Sequence, residues 1–119
     1  VVALMRRGEI WVARLNPNQG AEAGKLRPVV ILQADPITQA GLATVFVVPL
    51  TSQDRPGTRA LRVPIRARDR LLCDSFAMAD QLRSLDRSRL GDGPLTTLSG
   101  DELAELERAL LGVLGIGFA

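Results

Sequence analysis

Any chemistry this chain does falls to its arginines, hydroxyls and carboxylates, with Arg27 at the mouth of a predicted strand the first place to look, because the chain is short of the groups that most often serve as nucleophile or base. Its 119 residues contain no His, no Tyr and a single Cys, Cys73, so Ser-His-Asp and Cys-His triads cannot be assembled. A lone cysteine in a strand-like run reads as a small buried hydrophobe rather than an activated nucleophile. Without histidine or a CxxC pattern, no structural zinc site is expected. Arginine, hydroxyls and carboxylates remain. They suit a reaction whose substrate carries its own nucleophile, as RNA does in its 2′-OH, where the phosphate must be held in line and its added charge stabilised. A guanidinium fork from Arg27 and a neutral hydroxyl from Thr51 meet that minimum.

Those residues sit at the ends of predicted strands. Glu9 to Leu15 alternates Trp11, Ala13 and Leu15 against Ile10 and Val12, a strand covered on both faces. Asn16-Pro17-Asn18 turns the chain. Gln19 to Leu26 has Gly20 and Gly24 but no apolar period, which predicts a surface loop. Pro28 belongs at the start of the next strand, Val29–Leu32, so Arg27 falls at a loop–strand junction. A third strand runs from Ala43 to Leu50, with Pro49 suggesting an edge or bulge, and Thr51 and Ser52 emerge just past its end. If the two strands are neighbours, all these side chains line one rim. The plainer role for Arg27 is a surface ion pair with Glu22 or Asp80; for Thr51 it is a turn hydroxyl.

Asp35-Pro36 opens a further loop, 53–58 with Pro56-Gly57 is a turn, and strands are predicted over Arg59–Ile65 and Cys73–Ala79. A helix-like turn at Asp86–Leu90 starts on a capping Asp. Ser99-Gly100-Asp101-Glu102 is a capping box. It opens an amphipathic helix with Leu103, Leu106, Leu110, Val113 and Leu114 inward and Glu105, Glu107 and Arg108 outward. Five or six short strands and one closing helix describe a mainly β fold with helices, a small, partly open barrel.

At this length the chain is one domain, 1–119, with residues 1–6 read as a flexible extension before it. Hydrophobic residues at 46% support a globular fold. The cations are 14 Arg and one Lys, Lys25, and the pI is near 9.5. That composition permits phosphate contact without predicting it. The solitary cysteine fits a reducing cytoplasm, and no apolar stretch reaches the roughly 20 residues that span a bilayer. Aromatic residues, at 3%, leave few stacking platforms for bases, and Trp11 reads as core or subunit interface.

Three blocks, in order, carry a family resemblance: Arg7-Gly8-Glu9-Ile10-Trp11-Val12 leading through Asn16-Pro17 to Lys25-Leu26-Arg27-Pro28-Val29-Val30-Ile31-Leu32; Val47-Val48-Pro49-Leu50-Thr51-Ser52; and Asp80-Gln81-Leu82-Arg83-Ser84-Leu85-Asp86-Arg87-Ser88-Arg89-Leu90. Together they resemble the MazF/PemK family of toxin-antitoxin ribonucleases over Arg7 to about Ile116. The resemblance implies an SH3-like barrel of the plasmid-maintenance toxin (PemK/CcdB) type and a homodimer. The implied activity is a metal-independent, cofactor-free endoribonuclease that cuts single-stranded RNA at a short sequence to leave 2′,3′-cyclic phosphate and 5′-OH ends. It assigns Arg27 to clamping the scissile phosphate and to proton transfer, and Thr51 to bonding the phosphate. An arginine with a pKa above ~12 is a poor base at neutral pH, which favours the electrostatic role. The RNA-binding set expected around them is Asn16, Gln19, Gly20, Glu22, Lys25, Ser52, Asp80 and Gln81. Asp80 and Gln81 offer edges that could read bases, or could brace Arg27 or the dimer. Ala21 stands where many relatives carry a small hydroxyl residue, a departure that bears on base preference. A MazE-like antitoxin, acidic and partly disordered, is the implied protein partner. The rival readings are a CcdB-like gyrase-binding toxin, against which the absence of a C-terminal Trp counts, and an inactive regulatory domain.

Overall fold

The computed structural model describes residues 4–16, 20 and 25–117. Strand β1 (Glu9–Arg14) shows how the core is divided. Its alternation sends Ile10 into one apolar cluster with Val30, Val48, Leu50, Val63, Ile65 and Leu106. Trp11 and Ala13 go to the other, with Leu15, Val29, Ile31, Val45, Val47 and Leu85. A strand buried on both faces is what the sequence predicts here, and it follows from the two-residue period of the pleat. A Cβ on Gly93 would fall inside the Trp11 indole, so that position must stay glycine.

Strands β2 (Leu26–Ile31), β3 (Thr44–Thr51), β4 (Arg62–Ile65), β5 (Ser75–Met78), β6 (Arg83–Asp86) and β7 (Leu90–Thr97) complete an antiparallel sheet. The order is β4-β5-β3-β2-β1-β7, with β6 also on β3. The outer strands β4 and β7 do not pair, so the barrel stays open. Helix α1 (Asp35–Gln39) and the longer α2 (Gly100–Leu114) are added to it.

Several expectations are corrected. Pro49 lies in a central strand rather than at an edge. Leu32 N–H donates to Phe46 O, so the even-numbered residues of β3 bond to β2 and Pro49 turns its missing N–H to the other side. There β3 changes partner, from β6 at Thr44–Val47 to β5 at Leu50–Thr51, and no donor is required. The predicted strand over Arg59–Ile65 is a 3-10 turn from Pro56 to Leu61 and only then β4, because Pro56 and the bond from Thr58 Oγ1 to Arg55 O curl the chain. The Asp35-Pro36 loop is the first turn of α1, where a proline is tolerated. β5 begins at Ser75, two residues later than expected, which leaves Cys73 exposed in the connection. Met5, assigned to a flexible extension, is buried in the Trp11 cluster.

The capping box of α2 forms as predicted: Ser99 Oγ accepts from Glu102 N at 3.1 Å and Glu102 Oε1 accepts from Ser99 N at 2.8 Å. Leu106 is fully buried. Arg68 clamps Glu102 at 2.6 Å and Arg7 meets Glu107 at 2.7 Å, fixing the helix to the sheet from two sides. Burial pushes the Glu102 carboxyl up, but the hydrogen bonds from Arg68 and Ser99 outweigh it and the net shift is downward. Past Leu110 the helix leaves the sheet. Val113 and Leu114, predicted to face inward, are exposed.

Candidate functional site

The Arg27 site grows from strand register. β2 pairs with β3 through Ile31↔Val47, Val30↔Val48 and Val29↔Pro49, and carrying that register two residues further sets Arg27 against Thr51. Residues opposite one another in an antiparallel pair share a face. Arg27 is the second residue of β2, at the loop–strand junction the sequence predicts, and it reaches the end of β3, where its guanidinium donates to Leu50 O at 3.4 Å. Both side chains are half-buried, which limits their freedom and keeps them accessible.

They face a cavity of about 410 Å³ whose lining includes Lys25, Arg27, Thr51, Ser52, Arg70 and Cys73. No carboxylate belongs to that lining among the described residues. Lys25, Arg27 and Arg70 make that lining cationic, and arginine forks match phosphate oxygens. Thr51 Oγ1 accepts from Gln53 N at 3.2 Å, the turn contact that the plainer reading of this hydroxyl expects, and Thr51 also belongs to the cavity lining.

The predicted site residues separate into groups. Lys25, Arg27, Thr51 and Ser52 come together as expected. Asn16 does so indirectly: its Oδ1 accepts from Lys25 N at 2.9 Å, and Leu15 N donates to Lys25 O at 2.8 Å. These bonds hold Lys25 against Leu15 and Asn16 with its backbone in the left-handed region, at φ 63, an arrangement uncommon for a residue with a side chain. Gly20 is exposed, also at positive φ. Gln19, Ala21 and Glu22 lie outside the described residues.

Asp80 and Gln81 are not in the cavity lining. Asp80 is the partner of Arg62, at 2.9 Å, so the expected pairing with Arg27 gives way to one that joins β4 to the 3-10 turn at Ala79–Gln81. Asp86 caps its turn as the sequence suggested, its Oδ1 accepting from Ser88 N at 2.9 Å, while Arg87 donates to the carbonyls of Leu42 and Thr38 and Arg89 donates to that of Asn16 at 2.7 Å, tying the turn to neighbouring segments.

Sequence reasoning missed the opposite wall. Arg68 and Leu71 close a small bridge that presents Arg70, Leu72 and Cys73 to the cavity. Leu72 is 86% exposed, and Arg70 is held by Asp92 at 2.5 Å. The signal available was only a charged run from Arg66 to Arg70, indistinguishable from any solvated connection. Cys73, expected to be buried, is part of this wall.

Residues 6–114 match the family described as PemK-like, MazF-like toxin of type II toxin-antitoxin system. An Endoribonuclease MazF from Staphylococcus saprophyticus is 36% identical over 114 residues, covering 95% of this chain and 93% of the relative. Among solved structures, MazF from Deinococcus radiodurans (Form-I) superposes with a TM-score of 0.82 at 26% identity, over 97% of this chain and all of that one. A MazE-MazF structure from the same organism (Form-III) gives 0.76 at 26% identity, with 97% and 100% covered. None of the described helices is long and apolar enough to cross a membrane. With family, relative and fold agreeing over nearly its whole length, the chain belongs to the PemK-like, MazF-like toxins of type II toxin-antitoxin systems.

Proposed function

We propose that the protein is the toxin of such a system, an endoribonuclease that cleaves single-stranded RNA in the Arg27–Thr51 cavity. The observation that carries this reading is the register that sets Arg27 opposite Thr51 over a cavity rich in cations and without a carboxylate in its described lining. The scissile phosphate lies among Lys25, Arg27 and Arg70. Arg27 grips its non-bridging oxygens with a planar fork, and the Thr51 hydroxyl donates to the oxygen on which charge develops.

The 2′-OH of the same strand attacks phosphorus, the bond to the 5′-oxygen breaks, and the products are a 2′,3′-cyclic phosphate and a 5′-OH. The 2′-OH gives up one proton and the leaving 5′-oxygen gains one. No side chain need be covalently modified. A guanidinium stays protonated throughout at neutral pH, so Arg27 contributes charge and orientation rather than accepting the proton. Lys25 and Ser52 hold the strand on either side of these two residues.

An acidic antitoxin segment would compete for the same cations, as the MazE-MazF pairing of the Deinococcus relative suggests. Two copies of the chain form the working unit in this reading. Incubating wild-type and Arg27→Ala protein with a long unstructured RNA in EDTA, then mapping the ends, tests the proposal. Cuts at a recurring short motif with cyclic-phosphate ends, lost in the variant, support it; an intact RNA pool with folded wild-type protein refutes it.

A further inference from the structure

Lys25 and Leu26 line two cavities at once. One is the Arg27 cavity; the other, also about 410 Å³, is bounded among the described residues by Arg14, Asn16, Lys25, Leu26, Ser88 and Arg89. Its described lining again holds three cations and no acid. Arg89 is braced across the opening, donating to Arg14 O at 3.2 Å and Asn16 O at 2.7 Å. Arg14, exposed and opposite Leu26 in the β1–β2 register, donates a long 3.3 Å bond to Ser88 O.

Among the described residues, two carboxylates lie near this region, and both are engaged. Asp92 shares an adjoining groove with Arg14 and Arg89 but is paired with Arg70 at 2.5 Å. Asp86 is turned onto Ser88, whose hydrogen bonds, with a smaller effect from Arg89, hold its carboxyl below the usual aspartate range. Between the two cavities stands Leu26, 66% exposed. Two cationic hollows separated by an apolar step match the alternation of phosphate and base along a single strand.

We infer that the Arg14–Lys25–Arg89 cavity is a phosphate subsite that holds the backbone of the substrate strand beside the cut, with Leu26 as the surface on which the intervening base lies. The inference rests on the ribonuclease reading for the identity of the strand. It gives a chain poor in aromatic residues a way to gain affinity from substrate length. Lys25, fixed by Asn16 and Leu15, is the cation common to both hollows.

The test compares binding of two random-sequence RNA pools, roughly 4 and roughly 12 nucleotides long, to wild type, Arg14→Gln and Arg14→Lys, with melting temperatures as the check on folding. The quantity read is the ratio of affinities, long over short. Arg14→Gln should lower that ratio about fivefold and flatten the salt dependence of long-pool binding by about 0.7 in log–log slope, and Arg14→Lys should restore most of the ratio. An unaltered ratio in a folded Arg14→Gln protein overturns the subsite. Weaker binding of an acidic peptide with the RNA ratio intact also overturns it, assigning the cavity to a protein partner. Wild type that prefers the long pool but cuts no RNA refutes the ribonuclease and leaves the subsite standing; wild type that binds neither pool refutes both.

Discussion

Arginines that pair with a carboxylate of another element and arginines that line the two hollows have the same chemistry and different surroundings. Arg7, Arg62 and Arg68 each face a carboxylate, Glu107, Asp80 and Glu102, at 2.7, 2.9 and 2.6 Å. Each of these pairs joins separate elements. Arg14, Lys25, Arg27 and Arg89 face hollows whose described linings contain no acid. A guanidinium held by a carboxylate of another element belongs to the framework, whereas the two hollows gather several cations in one described lining. The difference lies in surroundings rather than residue type.

The sharpest way to break this comparison is to remove one cation from a hollow. Arg27→Ala should lower the cleavage rate about 10²- to 10³-fold, the usual cost of losing a preorganised donor to a developing charge, with melting unchanged. Arg27→Lys should recover only part of it, since the charge returns without the fork. Thr51→Val keeps the shape and removes the hydroxyl, and single-turnover rates should fall roughly 10- to 100-fold, in line with one lost hydrogen bond to a charged oxygen.

An arginine paired with a carboxylate should behave the other way. Arg68→Gln leaves Glu102 half-paired at the start of α2, and chemical denaturation should show a loss of about 1–2 kcal/mol, kept modest by partial exposure of the pair. Acid gives the smallest and most graded effect. Glu102 has its pKa lowered in the folded protein from an ordinary 4.5, so its contribution is complete above that value and declines as the pH falls below it toward the folded pKa. Melting curves taken between about pH 5 and about pH 3 should converge for wild type and Arg68→Gln.

The core strands and α2 were legible because their signals are local. β1 alternates over its whole length, and Ser99 and Glu102 have the spacing of a capping box. β7 was not legible because Gly91, Asp92, Gly93 and Pro94 read as a turn; it pairs with β1 only with a register shift between Ile10 and Val12. β6 is four residues with only Leu85 buried. For the site, the position of Arg27 and Thr51 at neighbouring strand ends could be reasoned from hydrophobic runs. The ion pair of Asp80 was not legible because nothing local to it announces Arg62, 18 residues away, as its partner. Arg70 and Cys73 reach the cavity through a bridge between Arg68 and Leu71 that has no periodicity to read.

The central claim is tested most directly by measuring RNA cleavage and melting temperature together for Arg27→Ala and Arg68→Gln. The account predicts that Arg27→Ala melts with wild type and does not cut, while Arg68→Gln melts earlier and cuts at the wild-type rate at temperatures where it is folded. If instead Arg27→Ala cuts as wild type does, or Arg68→Gln loses its activity while fully folded, the division between framework arginines and those of the hollows is wrong.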